Sequence, residues 1–230
     1  MQKFIIIAID GPAASGKSSL AKQLAGQLKY LYVDTGAMYR AITFYALEND
    51  FINNHQKLIE SLKDLELELE YENGLTRVFL NNVEVTDKIR SPKVNANVSD
   101  ISKIPEVRKE MVKLQQKMAK NKNLVVEGRD TTTVVFPEAD LKIFLTADVK
   151  ERAKRRYLEY KEKGEDVTLE SVEESIKRRD AIDSGREISP LRKADDAVEL
   201  DTTDLTINQE IENIVKELKE LEKTNNKPSK

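Results

Sequence analysis

The sequence predicts an α/β fold of three layers, in which a central parallel sheet of about five strands is flanked by helices. A small antiparallel β insertion and a helical lid are expected beside this core. The first observation is that apolar runs of strand length alternate with helical segments, as in proteins built from βαβ units. These runs lie at 4–9, 31–33, 124–126, 141–145 and 197–201. The second is a strictly alternating stretch at 65–71, and the third is an arginine-rich stretch after residue 147.

Length and composition limit the class of protein. A chain of 230 residues suits one domain, which we expect at 1–222, followed by a disordered tail at 223–230. The 38 basic and 41 acidic residues give a net charge of −3, which argues against a general nucleic-acid or membrane surface. Because the chain has no cysteine and a single histidine, His55, disulfides and multi-histidine metal sites are excluded.

No targeting or membrane segment is visible in the sequence. The apolar N-terminal run is too short for a signal peptide and lacks a basic lead-in. No run of about 18 apolar residues is present that could span a bilayer. We therefore expect a cytoplasmic protein. We also expect a monomer without nucleic-acid or membrane partners.

The first apolar run ends in a phosphate-binding motif, the P-loop. From Gly11 to Ser18 the sequence matches G-x-x-x-x-G-K-[ST], which an ordinary glycine-rich turn would match only by chance. Glycines let the backbone fold round a diphosphate, so that N–H groups and a helix N-terminus face its oxygens. Catalytic Lys17 would reach the β- and γ-phosphates, and the Ser18 hydroxyl would bind Mg²⁺. The predicted ATP-binding residues are Gly11, Pro12, Ala13, Ala14, Ser15, Gly16, Lys17, Ser18 and Ser19.

The second apolar run leads into a candidate for a second anion site. Asp34 or Thr35 could cap the helix that follows, and Arg40 lies further along that helix. A hydroxyl, a helix N-terminus and an arginine together can bind a phosphate. Taken alone, such a segment is more often a simple capped helix.

The alternating stretch at 65–71 begins a small antiparallel meander. An Asn-Gly turn at 73–74 and two further short strands follow it. Since antiparallel hairpins do not fit inside a parallel sheet, we interpret 63–90, approximately, as an insertion that packs on the adjoining helices.

Helical segments at 91–102 and 105–118 precede the strand at 124–126. This strand runs into Glu127-Gly128-Arg129-Asp130, at the end of the sheet where open parallel sheets bind ligands. Glu127 or Asp130 could hold the waters of a metal or a substrate hydroxyl, and Arg129 could bind a phosphate. A turn with a surface ion pair remains the alternative.

The arginine-rich stretch follows the strand at 141–145. Asp148 begins a helix on which Arg152, Arg155 and Arg156 share a face, and we expect a lid at about 149–167. A second helix, from about 168, carries Arg178, Arg179, Asp180, Asp183 and Arg186. Planar guanidinium groups set among carboxylates indicate directed phosphate contacts, although a salt-bridged pair of exposed helices is the alternative.

These parts favour phosphoryl transfer to a small acceptor. A GTPase should carry Asn/Thr-Lys-x-Asp, which is absent, and a motor usually needs a larger chain. If the acceptor is a phosphate, whose second pKa is about 6, no general base is required. Catalysis would then rest on in-line alignment and on charge neutralisation by Mg²⁺, Lys17 and arginines.

Seven stretches together resemble the bacterial cytidylate kinases, which belong to the nucleoside monophosphate kinase group. They span nearly the whole chain in the order of that family. They are IDGPAASGKSS (9–19), DTGAMYRA (34–41), EGRD (127–130), VVFPEADLKIFL (134–145), ERAKRR (151–156), RRDAIDSGREISPL (178–191) and ADDAVELDTT (194–203). The meander resembles the insertion that separates this family from adenylate and uridylate kinases.

The resemblance implies transfer of the ATP γ-phosphoryl to CMP or dCMP. Arg152 and Arg156 would belong to the lid, and with Lys17, Arg129 and Arg179 they would be the catalytic residues. Ser99 would contact cytosine, and Asp183 with Arg186 the sugar. The implied acceptor-binding residues are Thr35, Arg40, Ser99, Arg108, Arg129, Asp130, Arg179, Asp183 and Arg186.

One departure from the family and two alternatives remain. Thr132 stands where the family usually has glycine, and threonine tolerates positive φ poorly, so the sequence leaves the backbone of this turn open. The alternatives are a P-loop kinase for another small acceptor, such as UMP or a hydroxyl-bearing metabolite, and an ATP-binding module without turnover.

Overall fold

The computed structural model describes residues 4–72 and 75–225. Five parallel strands form the central sheet, in the spatial order β2-β6-β1-β7-β8. Their bounds are β1 Ile6–Asp10, β2 Leu31–Asp34, β6 Leu124–Gly128, β7 Leu141–Thr146 and β8 Val198–Asp201. The predicted parallel sheet is therefore confirmed.

Helices cover both faces of this sheet. Their bounds are α1 Lys17–Leu28, α2 Thr35–Glu48, α3 His55–Ser61, α4 Pro92–Ile101, α5 Pro105–Met118, α6 Val149–Glu162, α7 Leu169–Ser184 and α8 Ile207–Asn225. Alternate strand residues face opposite layers, because successive side chains of a strand point to opposite sides. Ile7 and Ile9 pack in one apolar cluster with α1 and α8, whereas Ala8 and Val126 belong to the cluster that contains α2 and α5.

The insertion is a separate antiparallel sheet, as predicted. It consists of β3 Leu67–Glu72, β4 Leu75–Leu80 and β5 Val83–Glu84, and a 3₁₀ turn at Lys88–Arg90 follows it. Its apolar face packs on the neighbouring helices, since Val78 shares a cluster with Ile42 of α2 and Val98 of α4. The predicted Asn-Gly turn at 73–74 lies outside the described residues.

The end of the chain differs from the prediction. We expected disorder from residue 223, but α8 continues to Asn225. Residues 223–225 contain neither glycine nor proline, so nothing in their chemistry ends the helix. The rest of the predicted tail, 226–230, lies outside the described residues. None of the described helices is long and apolar enough to cross a membrane.

Parallel register brings three strand ends together. Asp34 at the end of β2 pairs with Glu127 of β6, and Asp10 at the end of β1 pairs with Gly128. The P-loop, the start of α2 and the segment after β6 therefore lie side by side at one edge of the sheet. This is the arrangement that the sequence predicted.

The turn after β6 accommodates threonine at position 132. Thr132 has no positive φ, and 131–135 form a single π-helical turn. Fully buried Asp10 accepts hydrogen bonds from the amide and hydroxyl of both Thr131 and Thr132, at 2.7 to 2.9 Å. Threonine at position 132 is therefore compatible with the backbone of this turn. Its hydroxyl also helps to bind the turn to β1.

Candidate active site

The P-loop has the backbone that its glycines predict. Gly11 has φ 154° and Gly16 has φ 92°. A side chain at Gly11 would place its Cβ 2.2 Å from the Leu145 carbonyl oxygen. The Lys17 ammonium donates to the Pro12 carbonyl oxygen at 2.6 Å and to the Ser15 hydroxyl at 3.2 Å. Burial, assisted by the charge of Arg129, holds the pKa of Lys17 well below its usual range.

Arg152 fastens this loop to the two arginine-rich helices. Its guanidinium donates to the Ala13 carbonyl oxygen at 3.0 Å and to the Asp180 carboxylate at 2.5 Å. Asp180 also accepts from the Ala13 amide at 3.0 Å. Arg152 is buried in these contacts and does not line the cavity described below. Its catalytic role over the phosphoryl group stays a prediction.

Ser18 and Glu127 place a hydroxyl and a carboxylate side by side at the mouth of the loop. The Ser18 hydroxyl donates to Glu127 Oε1 at 2.5 Å, and the Tyr32 hydroxyl donates to the same atom at 3.1 Å. Burial and the nearby charge of Asp34 raise the pKa of Glu127. No group of three or more acidic or histidine side chains suited to a metal occurs among the described residues. A hydroxyl and one carboxylate fit Mg²⁺, which takes oxygen ligands and completes its shell with phosphate oxygens and water.

The start of α2 brings together the residues that the sequence predicted as a second anion site. Asp34 caps the helix by accepting from the Ala37 amide at 2.8 Å, and its second oxygen pairs with Arg40 at 3.1 Å. The Thr35 hydroxyl donates to the Glu127 carbonyl oxygen at 2.8 Å. This close approach requires glycine at 128, where a Cβ would lie 2.6 Å from the Thr35 hydroxyl. Thr35 is thereby held at the shared strand edge.

A buried ion pair forms another wall of the site. Arg108 pairs with Asp130, donates to the Ser102 carbonyl oxygen at 3.1 Å and lies over the Tyr39 ring at 5.2 Å. Ser99, one turn before Ser102, lines the same wall. The sequence identified Arg108 through resemblance alone, because an arginine on the apolar face of α5 has no distinctive local pattern.

The third wall comes from α7. Asp183 accepts from Arg129 Nε at 2.8 Å and pairs with Arg186 at 3.0 Å. Arg179 has no hydrogen bond or ion pair within the described part of the chain. Burial and the neighbouring charge of Arg129 lower the pKa of Arg179 to about 10. A cation in these surroundings is stabilised by an anionic ligand.

One cavity of about 740 Å³ joins these walls. It brings together nearly every residue that the sequence placed in the site. The exceptions are Gly11 and Pro12, at the start of the P-loop, and Arg152, which donates to the Ala13 carbonyl oxygen. The predicted residues on its surface are Ala13, Ala14, Ser15, Gly16, Lys17, Ser18, Ser19, Thr35, Arg40, Ser99, Arg108, Arg129, Asp130, Arg156, Arg179, Asp183 and Arg186.

Comparison with known proteins agrees with this geometry. A family model described as cytidylate kinase matches residues 7–220. The chain belongs to the cytidylate kinase family. Cytidylate kinases of Bacillus thuringiensis (strain Al Hakam) and Bacillus cereus (strain AH187) are each 50% identical over 216 residues, which are 94% of this chain and 96% of the relative.

A solved structure supports the fold of this cytidylate kinase family member. An uncharacterized protein from Eubacterium ventriosum ATCC 27560 superposes with a TM-score of 0.51 at 15% sequence identity. The superposition covers 95% of this chain and 99% of that chain. At this identity the likeness concerns the fold alone.

Some cavity residues of this cytidylate kinase family member were not predicted as site residues. Tyr39, Arg155 and Glu210 line the cavity, as do 203–206 before α8 and Ile207 at its start. Arg155 shares a predicted helix face with Arg152, which was the available signal. Glu210 is an acid on the apolar stripe of α8, between Ile207 and Ile214, and this interruption could have been noticed.

Glu210 should make the stability of the protein depend on pH. Burial raises its pKa to about 7, against the opposing effect of Arg155. An acid with a raised folded-state pKa contributes stability at low pH that is lost as pH rises through about 7. We expect Glu210→Gln to reduce this loss between pH 4.5 and 8 by about 2 to 3 kcal/mol of unfolding free energy. Urea unfolding at several pH values measures it. A constant difference from wild type, like that expected for exposed Glu212→Gln, would contradict this assignment.

Proposed function

We propose that the protein transfers the γ-phosphoryl group of ATP to CMP or dCMP, producing ADP and the corresponding diphosphate. The observation that carries this proposal is the group of cations on one cavity, which both predicted anion sites share. Lys17, Arg40, Arg129, Arg156 and Arg179 all line it. Two phosphorylated substrates repel each other, and such a group offsets that repulsion.

The donor triphosphate fits the P-loop side of the cavity. Backbone amides at the start of α1 face the phosphates, and Lys17 would exchange its contacts with Pro12 and Ser15 for phosphate oxygens. Mg²⁺, where bound, would neutralise charge on the β- and γ-oxygens. Ser18 and Glu127 are the residues that would hold it, directly or through water.

The acceptor phosphate fits between Thr35, Arg40, Arg129 and Arg179. Its second pKa is about 6, so it reacts as an anion at neutral pH without a general base. The transfer would then be in line, with the chain supplying alignment and charge. Arg179 has the strongest reason to bind the phosphate, because its guanidinium lacks an ion pair within the described residues.

The acceptor base fits the wall formed by Ser99, Arg108 and Asp130. The 4-amino group of cytosine donates hydrogen bonds, and its 2-oxo group accepts them. A carboxylate accepts and a guanidinium donates, so this pair complements cytosine. Uracil presents an oxygen where cytosine has the amino group, and this oxygen would face the Asp130 carboxylate unfavourably. We therefore expect CMP to be preferred to UMP.

The lid assignment concerns α6 and the segment after it, to about residue 167. Arg156 is half-buried, pairs with Glu159 at 2.7 Å and lies over the Tyr160 ring. These partners are on its own helix, so Arg156 can leave them for a phosphate without unfolding the helix.

That the protein is cytoplasmic and monomeric, and has no nucleic-acid or membrane partners, stays a prediction.

Asp183→Ala should chiefly weaken binding of the acceptor. Its carboxylate orients Arg129 and Arg186. The same carboxylate is proposed to accept a hydrogen bond from a sugar hydroxyl of the acceptor nucleotide. We expect the KM for CMP to rise at least about tenfold, with the KM for ATP little changed. Glu174→Ala, an exposed acid-to-alanine change on the same helix, serves as the control. An unchanged KM for CMP would show the sugar assignment to be wrong.

A panel of acceptors tests the proposed function. ADP release is measured with ATP and CMP, dCMP, UMP, AMP or shikimate on the purified protein. The proposal expects turnover with CMP or dCMP well above that with the others. Turnover with only another acceptor would favour a different P-loop kinase, and ATP binding without any turnover would favour a regulatory module.

A further inference from the structure

Glu210 is a buried residue whose carboxyl group has an oxygen atom without a hydrogen bond, although the charge of Arg155 acts on it. Its side chain is 3% exposed, and its Oε2 atom has no hydrogen bond to any described residue. The N-terminus of α8 is already capped by Thr206 and Gln209, whose side chains bond to each other's amides. Burying a carboxyl group without a partner is costly. An apolar residue would suit this face of α8 better, so a ligand is the natural source of the missing hydrogen bond.

Glu210 lies at the end of the cavity that the acceptor does not use. The acceptor residues from Thr35 to Asp130 follow β2 and β6, on one side of β1 in the sheet. Those of α7 come after β7 in the chain, but Asp183 joins this group through its ion pair with Arg129. Glu210 and 203–207 follow β8, on the other side, and Arg155 follows β7. Because the P-loop follows β1, a nucleotide with its phosphates on this loop directs its base away from the acceptor, towards Glu210.

This end of the cavity is firmly attached to the P-loop. The Thr202 hydroxyl donates to the Ser15 carbonyl oxygen at 3.3 Å. Arg155 donates to the Thr202 carbonyl oxygen at 2.6 Å and to its hydroxyl at 3.1 Å. These hydrogen bonds hold the end of β8 and α6 against the P-loop, next to the start of α8.

The chemistry of a carboxylate distinguishes purine bases. Adenine carries an amino group at position 6, which donates hydrogen bonds, whereas hypoxanthine and guanine carry an oxygen there. An ionised carboxylate can only accept hydrogen bonds, so it attracts the 6-amino group of adenine and repels the oxygen at position 6 of hypoxanthine or guanine. We propose that Glu210 accepts a hydrogen bond from the 6-amino group of adenine and thereby selects an adenine donor over a 6-oxopurine donor. This inference rests on the proposed use of ATP as the donor.

The test compares ADP with IDP, which differ in this group. Binding is measured by calorimetry at pH 8.5, where the Glu210 carboxyl group, with a pKa of about 7, is ionised. Wild type should bind ADP at least about tenfold more tightly than IDP. In Glu210→Gln this ratio should approach one, because an amide can present either a donor or an acceptor. Glu210→Leu should also lose the preference, with weaker binding of ADP.

Exposed Glu212→Gln on the same helix is the matched control and should keep the wild-type ratio. The inference is overturned if wild type does not discriminate, or if both Glu210 variants keep its ratio. Formation of CDP from ATP or ITP at saturating CMP is followed in parallel. A failure of the proposed function appears there as absence of CDP, whereas the binding ratio is measured without turnover.

Discussion

Lys17→Ala is expected to lower kcat by about 10³-fold. The Lys17 ammonium is buried beside Arg129, with only the Pro12 carbonyl oxygen and the Ser15 hydroxyl as hydrogen-bond partners in the described structure. Burial and Arg129 therefore disfavour its charged form in the substrate-free protein, and γ-phosphate oxygens would stabilise that form most when negative charge develops on them. Steady-state ADP release with ATP and CMP measures the effect.

The control for Lys17→Ala is Lys57→Ala, the same change on the exposed side of α3. It should leave kcat within twofold of wild type, a margin of about 0.4 kcal/mol. A Lys17→Ala protein that is folded, by circular dichroism, and retains wild-type kcat would contradict the assignment of the P-loop as the donor site.

Arg179→Met is expected to abolish most activity and yet to stabilise the substrate-free protein. With a pKa of about 10, below its ordinary value, the Arg179 guanidinium is charged at neutral pH at a cost to the folded state. Removing it should raise the free energy of unfolding by about 1 to 3 kcal/mol. Because the same cation is proposed to bind the acceptor phosphate next to the transferred group, kcat/KM should fall by about 10³-fold.

Arg178→Met is the matched control, since it removes the same charge from the neighbouring, exposed position of α7. It should change neither the melting temperature nor kcat/KM appreciably. If Arg179→Met instead destabilised the protein and left activity intact, Arg179 would be a structural residue and the acceptor-phosphate site would have to lie elsewhere.

Sequence patterns predicted the features that depend on local chemistry. The P-loop, the capped start of α2 and the alternating strand β3 each carry their information in consecutive residues. The parallel register of the strands then places Asp34, Glu127 and Asp10 at one edge of the sheet, and no knowledge of side-chain packing is needed to predict this. For the same reason, the general position of the candidate site was predictable before the structure.

Features that depend on tertiary packing were not predictable in this way. Arg152 has the spacing of a lid residue, but packing of α6 against α7 turns its side chain towards Asp180 and away from the cavity. Thr132 looked unsuitable for its turn, because threonine tolerates positive φ poorly. The hydrogen bond from its hydroxyl to Asp10 links positions far apart in sequence, so local patterns did not reveal it. Glu210 interrupts an apolar stripe, and only the folded chain places it beside the P-loop.

The central claim is that one cavity holds two nucleotides with their phosphates facing each other. A bisubstrate analogue, adenosine and cytidine joined by a chain of five phosphates, tests it most directly by calorimetry. The account predicts one analogue per chain, competition with both ATP and CMP, and binding about 10³-fold tighter than either, because one molecule makes both sets of contacts. Binding of two analogues per chain, or competition with only one of the two nucleotides, would contradict it.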